Sequence, residues 1–136
     1  MLNDILSPIP AHIIAALEDL HPGTLGRRIT LHQEVDGLPE LADVQIGIVG
    51  VMEDRGSRFN RGSANAPDTI RPYLYQLMYG HWSQNIVDFG NIYRGETLED
   101  SIAAVRIVVE ELRKADILPI IIGGSQDITY GAYRGY

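Results

Sequence analysis

The residues best suited to chemistry lie in two short stretches. Between residues 53 and 65 the chain runs Glu53-Asp54-Arg55-Gly56-Ser57-Arg58-Phe59-Asn60-Arg61-Gly62-Ser63-Ala64-Asn65. Arg55, Arg58 and Arg61 are three guanidinium groups on a glycine-threaded loop, each able to grip a carboxylate bidentately. Asn60 and Asn65 add neutral amides. An equally open reading is a solvated loop whose arginines offset neighbouring acids. A structureless loop of about 13 residues is usually functional or disordered. The second stretch is Gly123-Gly124-Ser125-Gln126-Asp127, where two glycines allow a sharp turn or a close approach. It reads either as a ligand-facing turn at a strand's carboxyl end or as a plain strand-to-helix connection.

Other chemistries find little support. The histidines at 12, 21, 32 and 81 show no metal-ligand spacing and read as surface or packing residues. No Gly-x-Gly-x-x-Gly and no phosphate-loop lysine occur. The Gly123-Gly124 turn into a helix start leaves a nucleotide-binding domain as a third option. No serine has a histidine placed for nucleophilic work.

The elements that would position these stretches follow from hydrophobic patterning. The run from Ile117 to Ile122 lacks polar alternation and reads as a central parallel strand buried on both faces, with Pro119 near its start. Val44 to Met52 is a second buried strand, ending where the arginine loop begins. Asn85 to Phe89 is a third, ending at Gly90. A helix over 67–79 opens at Pro67 with Asp68 in its first turn. The clearest helix spans Thr97 to Ala115: Thr97 and Asp100 form a capping signature, and Leu98, Ile102, Val105, Val109 and Leu112 form an apolar stripe. Pro10 opens an amphipathic helix with Ile13, Ile14, Leu17 and Leu20 on one face. Residues 28–35 alternate as a half-exposed strand, with Arg28, Thr30, His32 and Glu34 on the outer side. Strand, helix, strand, helix, strand in this order predicts a parallel sheet with right-handed crossovers.

The chain has 136 residues and a formal net charge of −7, with 45% hydrophobic residues. One domain with a real core is expected. The negative charge argues against nucleic acid or an anionic membrane as partner. The sequence contains no cysteine, which excludes disulfides and thiolate metal sites and fits a cytoplasmic location. No apolar run approaches the length of a membrane span. The last helical pattern, Gln126 to Tyr136, is weakened by Gly131 and Gly135 and lacks a cap, so a C-terminal truncation is expected.

Four segments, in order, carry a resemblance. Ile46-Gly47-Ile48-Val49-Gly50 looks like a first strand of the ureohydrolase superfamily, which includes arginase, agmatinase and formimidoylglutamase. Gly62-Ser63-Ala64-Asn65-Ala66-Pro67-Asp68-Thr69-Ile70-Arg71 is similar to its Gly-Ala-Arg-Phe-Gly-Pro-x-Ala-Ile-Arg segment. Val87-Asp88-Phe89-Gly90-Asn91 is similar to its Asp-x-Gly-Asp strand. Pro119 to Thr129 resembles Pro-Ile-x-Leu-Gly-Gly-Asp-His-Ser-Ile-Thr. The resemblance covers residues 46 to 130 and implies the N-terminal part of a three-layer α/β/α fold with a parallel sheet. Residues 41–136 would carry the arginase-like elements and residues 1–40 an N-terminal extension.

It further implies hydrolysis of linear amidines at a two-manganese site, a small-molecule substrate with an amidine group, and a homo-oligomer. Two metals acidify a bridging water and stabilise the tetrahedral intermediate. Arg58-Phe59-Asn60-Arg61-Gly62 is similar to the Arg-Arg-Asn-Gly-Arg loop of formimidoylglutamase, so Arg58, Asn60, Arg61 and Asn65 are the candidate substrate-binding residues. The family's first metal-binding histidine falls at Gln126, and the aspartate before it at Ser125. Asp127 is a weak alternative ligand whose expected role is to satisfy free backbone donors at the helix start. Asp54 and Asp88 also lie near strand ends. The remaining ligands of the family lie beyond Tyr136, so this chain alone is expected to hold no complete metal site and to catalyse nothing. A non-catalytic binding or assembly module on the same fold is the competing reading.

Overall fold

The computed structural model describes all 136 residues. The elements are α1 (Leu2–Ile5), β1 (Leu6–Ser7), α2 (Ala11–Ala15) followed by a 3-10 turn (Ala16–Asp19), α3 (Leu25–Arg28), β2 (Thr30–Leu31), β3 (Ile46–Met52), α4 (Ala66–Leu74), β4 (Ile86–Tyr93), α5 (Leu98–Lys114), β5 (Leu118–Ile122) and α6 (Ile128–Gly135). The five-stranded sheet has β3 between β4 and β5. Both pairings of β3 are parallel, as predicted, with Ile46 opposite Ile86 and Leu118. The short β1 and β2 share the outer side of β4, β1 antiparallel and β2 parallel. The sheet is therefore mixed rather than purely parallel.

The fold is a three-layer α/β/α sandwich. Val105, Val108, Val109 and Leu112 of α5 pack on Val49, Val51, Val87 and Phe89 in the main core. α4 covers the opposite face: Pro67 and Arg71 come against Gly50 of β3. Thr97 caps α5 with the expected reciprocal bonds to Asp100. α6 lies against α5, and its glycines have a use that the sequence pattern did not suggest. A Cβ at Gly131 would lie 2.6 Å from the Ile102 carbonyl oxygen, and one at Gly135 would overlap that of Arg106. The two glycines set the closest approach of the helices rather than merely weakening α6.

Five other expectations need correction. β4 does not end at Gly90 but runs to Tyr93. Gly90 is the extra residue of a bulge, because Ile48 faces Asp88 while Gly50 faces Asn91. Its φ of +85° suits glycine, and a side chain there would overlap the Ser7 carbonyl. The strand over 28–35 shrinks to Thr30–Leu31. His32, placed on the outer side by alternation, is buried, and its Nδ1 donates to the Phe89 carbonyl at 2.9 Å. Finally, β5 is not buried on both faces. Its place at the edge is the one the resemblance implies, with β3 between β4 and β5, but that place leaves Leu118 46% and Ile120 43% exposed. The helix predicted over 67–79 stops at Leu74, with Pro72 inside it.

Candidate functional site at the strand ends

The carboxyl ends of β3 and β5 release the two stretches singled out above, so parallel pairing brings them together. Glu53, the first residue after β3, anchors both. Its carbonyl accepts the Ser125 N–H at 2.8 Å. Its carboxylate is fully buried and accepts three Arg55 donors, Nη2 at 2.6 Å, Nε at 3.1 Å and the backbone N–H at 2.8 Å. It also accepts the Ser101 hydroxyl at 2.6 Å. The Arg55 side-chain bonds come first among the causes that hold the Glu53 carboxyl down to about 2, and burial opposes them.

Arg55 is therefore spent inside the molecule. Beyond Glu53, its guanidinium donates to the carbonyls of Gly95, Glu96 and Thr97 at 2.9, 2.8 and 3.0 Å. It ties the arginine loop to the start of α5 and leaves no free edge for a ligand carboxylate. Arg58 and Arg61 are different. Both are exposed, and neither forms an ion pair. Arg58 lies 5.4 Å from the ring centroid of Phe59, itself 91% exposed. Asn60 and Asn65 are also exposed. Asp54 closes the base of this loop by accepting the Gly62 N–H at 2.7 Å, which commits its carboxylate to the loop. The four predicted substrate-binding residues thus lie on one loop segment at the strand ends.

The turn after β5 departs from expectation. Gly123 and Gly124 take φ of +75° and +81°, and the Gly124 N–H donates to the Ser63 carbonyl at 3.2 Å. Gln126 is exposed beside a cleft of about 330 Å³ lined also by Gly123, Gly124, Ser125 and Thr129. Larger hollows lined by residues of the first forty share no residue with these loops. Asp127 sits at the start of α6 but makes no capping bond from its side chain. Its backbone is already helical there, so the carboxylate turns away from the free N–H groups. One oxygen accepts the Ser125 hydroxyl. The other is buried with no partner, as is the Ser63 hydroxyl.

Asp88 is removed from consideration as a strand-end ligand. It lies inside β4, fully buried, and accepts Arg71 Nε and Nη2 at 2.9 Å each and the Tyr75 hydroxyl at 2.6 Å. Arg71 also donates to Asn91 Oδ1 at 2.7 Å and to Asp68 at 3.2 Å. Strand alternation places residues three apart on opposite faces. The bulge at Gly90 restores Asn91 to the face of Asp88, where one guanidinium serves both. Burial works against the Arg71 charge, but the Asp88 carboxylate outweighs it and raises the Arg71 pKa. Sequence reading missed this network, although the Asp-x-x-Asn spacing around a glycine was visible.

A manganese pair implied by the resemblance is not matched by this donor set. No three histidine, aspartate or glutamate side chains converge anywhere in the chain. The turn itself offers one neutral amide and one carboxylate facing its own loop. Hard divalent cations need several oxygen or imidazole ligands at one point.

The model of the arginase family matches residues 44–136. This chain belongs to the arginase family. Formimidoylglutamase of Corynebacterium efficiens is 36% identical over 106 residues, covering 74% of this chain and 33% of that protein. Formimidoylglutamase of Citrobacter koseri is 32% identical over 101 residues, covering 71% and 32%. The solved structure of agmatine ureohydrolase of Thermoplasma volcanium superposes with a TM-score of 0.65 at 27% identity, covering 80% of this chain and 40% of that one. The chain thus spans about a third of the length of the curated relatives it matches. The arginase-family sandwich read from the sequence is the fold observed, and the lean toward formimidoylglutamase agrees with these relatives.

Proposed function

We propose that this chain is part of a ureohydrolase-type enzyme that hydrolyses a linear amidine carrying carboxylates, of the N-formimidoylglutamate type. The observation that carries the reading is the pair Arg58 and Arg61, exposed and free of acid partners at the strand ends. Free guanidinium groups there suit carboxylates on a substrate. Arg58, Asn60, Arg61 and Asn65 are its substrate-facing residues. Hydrolysis adds water across the amidine carbon and breaks its bond to the substrate nitrogen, giving formamide and a free amine. The manganese pair of such an enzyme would take its ligands from sequence other than these 136 residues. In this reading residues 41–136 form the arginase-like part, residues 1–40 extend it, and the whole is a cytoplasmic homo-oligomer acting on a small molecule.

Gln126 favours a second reading. A neutral, exposed amide where the resemblance sets a metal-binding histidine suits a relative that keeps the fold as a binding or assembly module and has lost catalysis. The test is a hydrolysis assay of the longest natural protein that contains this chain, with N-formimidoylglutamate and manganese, following formamide release. Turnover whose KM rises about tenfold or more in Arg58→Ala and Arg61→Ala supports the enzyme. Absence of turnover, with binding of the same compound retained, supports the module.

A further inference from the structure

The loops that leave β3, β4 and β5 meet at two nearby side chains. Glu53 follows β3, and its carbonyl accepts both the N–H and the hydroxyl of Ser125, in the turn after β5, at 2.8 and 3.3 Å. Its carboxylate accepts Arg55, whose guanidinium crosses to the loop after β4 and donates to the carbonyls of Gly95, Glu96 and Thr97. Ser101 closes the ring: its hydroxyl accepts the Gly95 N–H at 2.9 Å and donates to Glu53 at 2.6 Å. A planar fork of N–H donors can span a carboxylate and several carbonyls at once, and a lysine ammonium cannot.

The segment carrying Arg58 and Arg61 depends on this junction. Residues 56–62 form hydrogen bonds only with residues 54–65. Asp54 gathers the segment, its carbonyl accepting the Ser57 N–H at 2.9 Å and its carboxylate the Gly62 N–H at 2.7 Å. Ser57 Oγ accepts the Asn60 N–H at 2.9 Å. The segment is thus a closed turn with two roots. At one, the Ser63 carbonyl accepts the Gly124 N–H at 3.2 Å. At the other stands Arg55. Gly56 follows it and lies against the Asp127 carboxylate, which a Cβ there would overlap, so a shift at this root moves the arginines relative to the turn after β5. We propose that Arg55 is a positioning residue: it holds Arg58 and Arg61 in fixed register with the Gly123–Asp127 turn, and it acts on a carboxylate substrate only through them. The choice of substrate rests on the proposed function, whereas the register rests on the hydrogen bonds above.

The chain has no cysteine, so Phe59→Cys and Gln126→Cys, both at exposed positions, can carry a pair of nitroxide labels across the junction. Double electron–electron resonance should give one narrow distance distribution, broadened or shifted in Arg55→Ala and in Arg55→Lys while the ¹⁵N amide shifts of β3, β4 and β5 stay in place. An unchanged distribution would overturn the proposal, and so would broadening accompanied by amide shifts throughout the sheet, which marks general loosening. If Arg55→Ala does not fold, Arg55→Lys decides by the same criteria. In the longest natural protein that contains this chain, Arg55→Lys should raise the KM for N-formimidoylglutamate about tenfold or more and leave kcat within about twofold, the split expected when only binding remote from the reacting carbon is lost. Turnover with an unchanged KM tells against the positioning role alone. Absence of turnover in the unsubstituted protein tells against the proposed enzyme, and the label distances then decide the positioning role by themselves.

Discussion

Arg71 on α4 and Asp88 on β4 form a bidentate ion pair in which neither side chain touches solvent. The pair joins one helical layer to the sheet and is completed by Tyr75, Asn91 and Asp68. Removing one partner of a buried pair leaves an uncompensated charge, at a cost of about 3–5 kcal/mol. Asp88→Asn and Arg71→Ala should each destabilise by that order in urea denaturation. Arg71→Lys should not restore the loss, because an ammonium cannot reach Asp88 and Asn91 together. A loss below 1 kcal/mol in either single variant would contradict this account.

Glu53 gives the fold a definite acid response. Its carboxyl is held at about 2 in the folded chain against 4.5 for the free group, chiefly by Arg55. The lowered value means that its contribution is complete above about 4.5 and is lost as pH falls from there toward about 2. Glu53→Gln should be less stable at neutral pH by about 1–3 kcal/mol. It should also lose much of the slope of stability against pH below 4.5. Urea midpoints measured from pH 7 down to pH 3 provide the check; parallel curves for the two proteins would refute it.

The α5–α6 contact should be intolerant of one methyl group. Gly131→Ala and Gly135→Ala press a Cβ onto the carbonyls of Ile102 and Arg106, and overpacking costs roughly 1–3 kcal/mol. Helix propensity favours alanine by up to about 1 kcal/mol, so a stabilised variant in thermal melts would show that the helices slide apart without penalty.

The open side of β5 should make the chain self-associate. Its backbone groups have no partner there, and Leu118 and Ile120 stand half exposed. Unprotected apolar edges pair with other chains, and a lysine on the edge blocks this. Sedimentation velocity at increasing concentration should show association that Ile120→Lys reduces. A wild-type chain that stays monomeric at millimolar concentration would count against it.

Metal affinity separates the turn from its relatives. Manganese titration of this chain should give binding no tighter than that of an acidic surface, and Gln126→His should not change it, because one imidazole and no converging carboxylates make no site. Micromolar binding by calorimetry would mean that the turn has been misread.

Much of the architecture was legible because parallel strands announce themselves as unbroken apolar runs, even at β5, where the structure leaves one face half exposed. Val44–Met52 and Ile117–Ile122 were found that way, and the Thr97–Asp100 box fixed the start of α5. What the sequence hid were features set by partners remote in the chain. Gly90 read as a strand end because a bulge and a stop share the same residue, and only pairing with β3 tells them apart. His32 followed a polar alternation that the Phe89 carbonyl overrode. Arg55 and Arg58 stand three apart on one loop and look alike in sequence. The Gly95–Thr97 carbonyls and Glu53 claim the first and leave the second free.

The position of β3 also bears on how the chain is made. Ile46 finds one neighbour at Ile86 and the other at Leu118, about forty and seventy residues downstream. At synthesis rates of about 5–20 residues per second, the second partner leaves the ribosome roughly 4–14 seconds after the first strand. During that interval the sequence IGIVGVM, buried along most of its length in the finished sheet, waits with at least one side unpaired. An apolar strand left open in this way invites pairing with other chains before its own neighbours arrive. Slower decoding between Met52 and Leu118 should cost soluble yield without altering the native state.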